Sequence, residues 1–356
     1  METEGVKYAG SKLRLLPYIG QIVRDRGFTS VLDGFSGTTR VSQAFAQMGF
    51  AVTSNDVAHW SEAFALCYLK SAKPDSFYAP LIDELNSLDG VEGWFAANYG
   101  GEGADGCKKP FQRQNAMKID AIRERIDSFR LDKTDTSVLL SSLMLAMDAV
   151  DSTLGHYVSY LKHWSRRSYK PLTLRLPRRF ATDPARHTVL RGDVFDAIRG
   201  RSFDLAYFDP PYGSNNEKMP PSRIRYGAYY HIWKSVVLND KPEVFGKAAR
   251  RVDSRDAECA SVFEDFRRGE DGRFLAISAI DELLGKTDAP FILLSYSSGG
   301  RATREELLDS IASHGRLVQA VSIDYRTHVM SSMSWTGDWK RDASGHQEYL
   351  FLVEKS

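Results

Sequence analysis

At 356 residues, with 42% hydrophobic and 26% charged side chains, the chain has the mix of a globular protein large enough for one elaborated domain. It has no apolar run long enough to span a bilayer, no signal-peptide core in residues 1–8, and three cysteines (Cys67, Cys107, Cys259) far apart and in no metal-ligand spacing; the expectation is a cytoplasmic protein with reduced thiols, no membrane contact and no metal. The formal net charge of +1 excludes a globally basic binder, so any nucleic-acid contact must come from a local cluster.

Val31-Leu32-Asp33 reads as a short buried strand entering the loop Gly34-Phe35-Ser36-Gly37-Thr38-Thr39. A helix follows, with Val41, Phe45 and Met48 on one face and Gly49 closing it. A second strand over 50–54 ends at Asn55-Asp56. Strand, glycine loop, helix, strand and acid is the order of a doubly wound nucleotide-binding half. Gly34 and Gly37 let the backbone approach a cofactor closely. Asp56, about twenty residues on, is placed to accept both hydroxyls of a ribose. The loop lacks the third glycine of the dinucleotide fingerprint, which argues for a cofactor without phosphates; S-adenosylmethionine fits.

Amphipathic helices are expected over 61–69, 111–129 and 137–149, with a loop at 98–103. Residues 70–187 read as a helical insertion. Its end is basic: 162–191 carries nine Lys and Arg (Lys162, Arg166, Arg167, Lys170, Arg175, Arg178, Arg179, Arg186, Arg191) against one acid, Asp183. Such a cluster can neutralise phosphates and read guanine edges. Pro171 and Pro177 interrupt any long helix there.

Strand signals return at 188–190, before Gly192-Asp193, and at 203–208, before Asp209-Pro210-Pro211-Tyr212. An acid at a strand end can accept one proton of a planar amino group, and the next carbonyl can accept the other. The prolines fix the backbone and remove competing donors, and the tyrosine offers a face for stacking. This suits methylation of the exocyclic nitrogen of adenine. A second polar insertion spans about 213–273, with Arg223, Arg225, Tyr226, Tyr229 and Tyr230 expected to order around a flipped base. A strand at 291–295 and a closing antiparallel pair at 317–325 and 348–353 complete the sheet.

Taken in order, these motifs resemble the Dam-like DNA adenine-N6 methyltransferases. Lys7-Tyr8-Ala9-Gly10-Ser11-Lys12 is similar to the N-terminal motif that closes over the methionine part of the cofactor. Phe35-Ser36-Gly37-Thr38-Thr39 is similar to the family's Phe-x-Gly-x-Gly loop, with Thr39 where the second glycine stands. Gly192-Asp193 resembles the motif that contacts the cofactor adenine, and Asp209-Pro210-Pro211-Tyr212 matches the catalytic motif in full. Tyr229-Tyr230-His231-Ile232-Trp233, His328-Val329-Met330-Ser331 and Glu348-Tyr349-Leu350-Phe351 resemble later elements of one branch.

The resemblance implies a Rossmann-like, doubly wound α/β methyltransferase sheet formed by 1–69 and 188–356. Residues 70–187 would be a largely helical target-recognition insertion. It implies S-adenosyl-L-methionine held by Lys7, Tyr8, Lys12, Asp33, Phe35, Ser36, Gly37, Thr38, Thr39, Asp56, Asp193 and Asp209. Asp209, Pro210, Pro211 and Tyr212 would be catalytic. Arg166, Arg167, Lys170, Arg178, Arg179, Tyr226, Tyr229, Tyr230 and His231 would meet double-stranded DNA or its flipped base. The expected protein is a monomer of bacterial or phage origin, and a cognate restriction endonuclease is compatible with the family. The competing readings are an RNA adenine-N6 methyltransferase, a cytosine-N4 enzyme, disfavoured because Ser more usually opens its tetrad, and a non-catalytic DNA-binding protein on the same fold.

Overall fold

Leu205-Ala206-Tyr207-Phe208 carries no charge, and in the computed structural model it is the middle strand of a seven-stranded sheet, buried at every residue. Residues 2–102, 109–213, 225–255, 261–265, 267–324 and 347–356 are described. The strands of the main sheet are β1 (Ser30–Asp33), β2 (Ala51–Asp56), β3 (Thr188–Arg191), β4 (Leu205–Phe208), β5 (Phe291–Ser297), β6 (Gly315–Asp324) and β7 (Gln347–Lys355). Their order is β6-β7-β5-β4-β1-β2-β3. β1 to β5 run parallel, and β7 lies antiparallel between β5 and β6. The expected doubly wound α/β sheet and its antiparallel closing pair are both present.

Twelve helices are described: α1 (Leu16–Val23), α2 (Arg40–Gln47), α3 (His59–Ala65), α4 (Asp75–Ser87), α5 (Trp94–Tyr99), α6 (Arg113–Ser128), α7 (Lys133–Val150), α8 (Val194–Ile198), α9 (Tyr226–Tyr229), α10 (His231–Leu238), α11 (Leu275–Lys286) and α12 (Arg304–His314). None is long and apolar enough to cross a membrane.

The period-two alternation of a strand sends successive side chains to opposite faces. Val31 of β1 with Leu205 and Tyr207 of β4 enters one core, beside α1 and α2. Leu32, Ala206 and Phe208 enter another, beside α8, α11 and α12. A third core joins α3 to α4, α5, α6, α7 and α10. The helical region beyond residue 70 therefore packs directly on α3 and the turn after it through Trp60, Phe64 and Tyr68. The helix expected over 61–69 begins earlier, at His59, and its last turn, Leu66–Lys70, widens into a π-helix. α7 is buried on almost every face, which explains why its amphipathic reading was too short.

Residues 2–11 form no helix or strand, yet they are tied along their length. Arg40 donates to the carbonyls of Thr3 (2.7 Å) and Gly5 (3.0 Å). Gln43 exchanges hydrogen bonds with the Glu4 backbone. The buried Glu4 carboxylate accepts from Tyr68 Oη (2.9 Å) and the Arg178 N–H (2.7 Å), and pairs with Arg175 (2.6 Å).

The chain leaves β1 toward β2 and β3 on one side, then crosses to β4 and β5 on the other. The carboxyl ends of β1 and β4 thus flank a topological switch point, where doubly wound sheets open a crevice.

Candidate active site

A cavity of about 450 Å³ fills that crevice. The glycine loop leaves β1 on one side, with Gly34 N–H donating to the Tyr207 carbonyl (3.0 Å) and Ser36 N–H to the Asn55 carbonyl (2.9 Å). Asn55 Nδ2 donates to Gly34 and Gly192 carbonyls, both at 3.2 Å, and so joins the loop to the turn after β3. A Cβ on Gly34 would lie 2.6 Å from the Phe208 ring, so no larger residue fits there. Gly37 has φ +51° and packs against Tyr8.

Thr39 adopts φ +62°, the left-handed conformation that glycine accepts without strain. Its hydroxyl donates to the Thr38 carbonyl (2.7 Å) and accepts from Gln43 (3.1 Å), which offsets the cost. Thr39 is fully buried outside the cavity. It shapes the loop and does not line the cofactor space, a correction to the expected contact. Phe35, Ser36, Gly37 and Thr38 do line it.

Asp56 closes β2 at the cavity wall. One carboxylate oxygen accepts from Gly37 N–H (2.8 Å) and the other from Ala58 N–H (2.9 Å), each keeping further lone-pair capacity. Burial raises its pKa, against the pull of these donors. Asp33 is buried; it accepts from Ser42 Oγ (2.6 Å), and its Oδ1 has no partner among the described residues. Burial pushes its pKa up to about 7. Asp193 lines the cavity and also caps α8 by accepting from Phe195 N–H (2.8 Å).

Asp209, Pro210, Pro211 and Tyr212 follow β4 directly and form the opposite wall. Asp209 Oδ2 lies 3.4 Å from Lys12 Nζ, and its Oδ1 is buried without a partner among the described residues. Burial raises the Asp209 pKa well above the ordinary carboxylate range, and Lys12 opposes that rise. Lys12 Nζ also sits 4.7 Å from the centre of the Tyr212 ring. Tyr212 Oη reaches Ser295 Oγ and Glu348 Oε2, both at 3.3 Å. Its ring therefore stands fixed at the edge of the cavity.

Tyr8 stacks on Tyr226 (5.3 Å) and Tyr230 (4.5 Å), which hangs the N-terminal segment over the crevice. Tyr8 and Tyr226 line the cavity. Three tyrosine-histidine assignments are corrected here. Tyr230 is wholly buried, stacked between Tyr8 and Trp233, with its hydroxyl accepting from Ala9 N–H (2.6 Å). Tyr229 packs on His156 away from the cavity. His231 is wholly buried against Tyr99, its Nε2 bonded to the Tyr157 carbonyl (3.1 Å), and burial lowers its pKa to about 3. These three pack around the aromatic stack and do not line the cavity.

Lys7 is likewise corrected. Its Nζ bonds Asp148 and Asp151 at the end of α7, outside the cavity. Within the basic segment, Arg167 is bound to the Asp151 carboxylate and the Thr153 carbonyl (2.9 Å). Arg179 is largely buried, bonded to Asp75 and the Lys73 carbonyl (2.9 Å), and lies over the Tyr78 ring. Arg178 pairs with Glu4 while its side chain stays exposed. Arg166 and Lys170 are exposed and make no ion pair among the described residues. The acids that pair with this segment come from distant parts of the chain, which a linear charge count does not see. Arg223, His328, Val329, Met330 and Ser331 lie outside the described residues, as do Cys107 and Cys259.

The cavity also recruits residues that no motif had marked: His59, Trp60, Lys234 and the turn from Ser261 to Glu264. Phe263 packs edge-on against Phe35 (5.1 Å). Burial lowers the His59 pKa to about 4, with Arg191 and Lys234 adding to it.

The crevice fits S-adenosyl-L-methionine: the cavity is large enough for a small-molecule cofactor, Asp56 on its wall keeps lone-pair capacity for hydroxyl donors, and Asp33 and Asp209 on the same wall carry buried oxygens without a partner among the described residues. The chain is 26% identical to the type II methyltransferase M.NlaIII of Neisseria lactamica, over 99% of this chain and all of that protein. It is 27% identical to the type II methyltransferase M.FokI of Planomicrobium okeanokoites over 98% of its length, and spans about half (53%) of that protein. It is also 27% identical to M.CviAII of Paramecium bursaria Chlorella virus 1, over 82% of this chain and 88% of that one. The D12 class N6 adenine-specific DNA methyltransferase family matches residues 8–263. With its motifs gathered at one sheet crevice and most of its length matched, the chain belongs to the D12 class of N6 adenine-specific DNA methyltransferases.

Proposed function

We propose that the acceptor adenine lies against Asp209, Pro210 and Tyr212, with the cofactor along the glycine loop and Asp56. The family's reaction is methylation of the adenine N6 amino group in DNA, and it sets aside the RNA, cytosine and non-catalytic readings. S-adenosyl-L-methionine, when bound, supplies a methyl group on a positively charged sulfur. Phe35 and Asp193 border the space for its adenosine, and Asp56 has lone pairs for the ribose hydroxyls.

The chain's own residues then have positional tasks. The amino nitrogen of adenine is a weak nucleophile because its lone pair is delocalised into the ring. Asp209 and the Pro210 carbonyl accept its two N–H bonds and favour a pyramidal nitrogen. Tyr212 stacks on the base, and its hydroxyl contacts to Ser295 and Glu348 keep the ring in place. Lys12 holds Asp209 toward the cavity through their ion pair. Orientation of this kind is the main source of rate. A base inside a duplex must flip out to reach Asp209, at a cost of a few kcal/mol.

The observation that carries this reading is the unpartnered, buried Oδ1 of Asp209 in the same cavity as the glycine loop and Asp56. The acting unit is proposed to be the monomer, because one chain supplies every wall. The type II naming of the relatives supports a cognate restriction endonuclease, and the DNA substrate supports a cytoplasmic setting. Asp209→Ala is expected to abolish methyl transfer to DNA and to leave most cofactor affinity intact. Single-turnover assays beside calorimetric titration test this, and near wild-type transfer would overturn it.

A further inference from the structure

One acid of the cavity wall, Glu264, has no part in the mechanism above. Glu264 ends a single 3₁₀ turn, Val262–Glu264, begun by Ser261. The Ser261 carbonyl accepts the Glu264 N–H (3.0 Å), and its Oγ accepts the Phe263 N–H (3.3 Å). Phe263 anchors the turn between Phe35 (5.1 Å) and Phe195 (6.0 Å). The Glu264 side chain is thereby fixed at the cavity wall, 4% exposed, with Oε1 lacking a hydrogen-bond partner among the described residues.

Its place is the acceptor end. The Glu264 Cα lies 3.5 Å from where a Cβ on Gly213 would stand, in the loop that follows Tyr212. Tyr226, Asp209 and Lys12 line the same cavity as Glu264. The charged and titratable groups around it are Arg225 and Tyr226 from α9 and its approach, the adjoining Asp265 and Arg301 against Gly213, with Asp209 and Lys12 elsewhere on the cavity wall. Burial outweighs Arg225 and pushes the Glu264 pKa up to about 8, so at neutral pH the carboxyl keeps its proton.

Around an adenine held by its amino group, the Pro210 carbonyl can only accept, Asp209 accepts as the carboxylate that its Lys12 partner favours, and Lys12 is committed to Asp209. The ring nitrogen N1, next to the amino-bearing carbon, is itself an acceptor and needs a donor. Leaving it unmatched in a buried site is costly. Resting on the reaction proposed above, we propose that the Glu264 carboxyl donates a hydrogen bond to N1 of the flipped adenine and so helps fix the base for transfer.

The test compares wild type, Glu264→Gln and Glu264→Leu on plasmid DNA free of N6-methyladenine, by single-turnover transfer of radiolabelled methyl between pH 6.5 and 9.5. Cofactor affinity is titrated in parallel to confirm folding. Glu264→Leu is expected to lose roughly tenfold or more in rate, the cost of one buried hydrogen bond, with little change in cofactor affinity. Glu264→Gln keeps a donor and is expected to retain most of the rate. Wild type should slow as pH rises through about 8, where the donor proton is lost, and Glu264→Gln should not. A wild-type rate in Glu264→Leu would overturn the proposal, and so would the same alkaline decline in wild type and Glu264→Gln. The Gln comparison decides the matter even where the Leu variant fails to fold. Absence of any transfer by wild type would overturn the reaction and this contact together, whereas an active wild type with unchanged variants overturns the contact alone.

Discussion

Asp33 shows how a residue chosen for the site acts against the fold. Its carboxyl is buried, one oxygen bonded to Ser42 and the other without a partner among the described residues. Burial lifts its pKa to about 7, so the native state binds a proton that the unfolded chain releases near pH 4. Stability from this residue is therefore full below the unfolded pKa, falls as pH rises toward about 7 and is constant above it. In the cofactor-free protein, Asp33→Asn is expected to raise stability at pH 8 by on the order of 1–3 kcal/mol, with the gain shrinking toward pH 4. Denaturant titrations across that range measure it, and a pH-independent difference would place the proton elsewhere. Thr39 makes the complementary point. The departure from glycine was visible in the sequence; the side-chain bonds that let a threonine hold φ +62° were not.

Among the elements, the N-terminal segment is the one whose importance exceeds its appearance. It has no periodic pattern, yet it carries Tyr8 and Lys12 to the cavity. Its anchor is Glu4. Burial would raise the pKa of this carboxyl, but the Arg178 N–H and Arg175 outweigh it and lower it. Glu4 thus adds stability above the ordinary carboxylate pKa, and this is lost as pH falls through its lowered value. Glu4→Ala is expected to cost about 2–3 kcal/mol, the range for bonds to a charged group, and to weaken cofactor binding through the freed segment. Thermal unfolding and cofactor titration report the two effects. Unchanged values for both would mean that Arg40 and Gln43 hold the segment unaided. Nothing in the spacing of residues 2–6 signals this, because the partners lie on α2, on the π-turn after α3 and in the basic segment.

At the scale of the whole molecule, the basic segment divides into two populations. Arg167 and Arg179 tie the segment to α7 and α4, whereas Arg166 and Lys170 face solvent. Neutralising Arg166 and Lys170 is expected to weaken binding to every duplex and reduce the salt slope by roughly one unit per lost phosphate contact. Arg167→Ala and Arg179→Ala should instead lower the melting temperature, by the loss of bonds worth on the order of 1–3 kcal/mol. Binding isotherms over a salt series, set beside thermal scans, separate the two groups. An unchanged slope for the Arg166 and Lys170 double variant would show that this face does not meet DNA.

The local sequence determined the strand, glycine loop, acid and Asp-Pro-Pro-Tyr elements because backbone freedom, alternation and strand-end chemistry are properties of neighbouring residues. From those elements and their order, the sheet, the cofactor class and the walls of the cavity were legible. Which charged and aromatic residues face that cavity was decided only by tertiary structure. His231, Tyr230, Lys7 and Arg179 look like contact residues in the linear string, but the space around each is filled by partners from distant segments. Glu264 and Phe263 look like loop residues and are carried to the site by a turn packed on Phe35. Burial and pairing depend on which distant residues the fold brings together, and that information is not carried by any short stretch of chain.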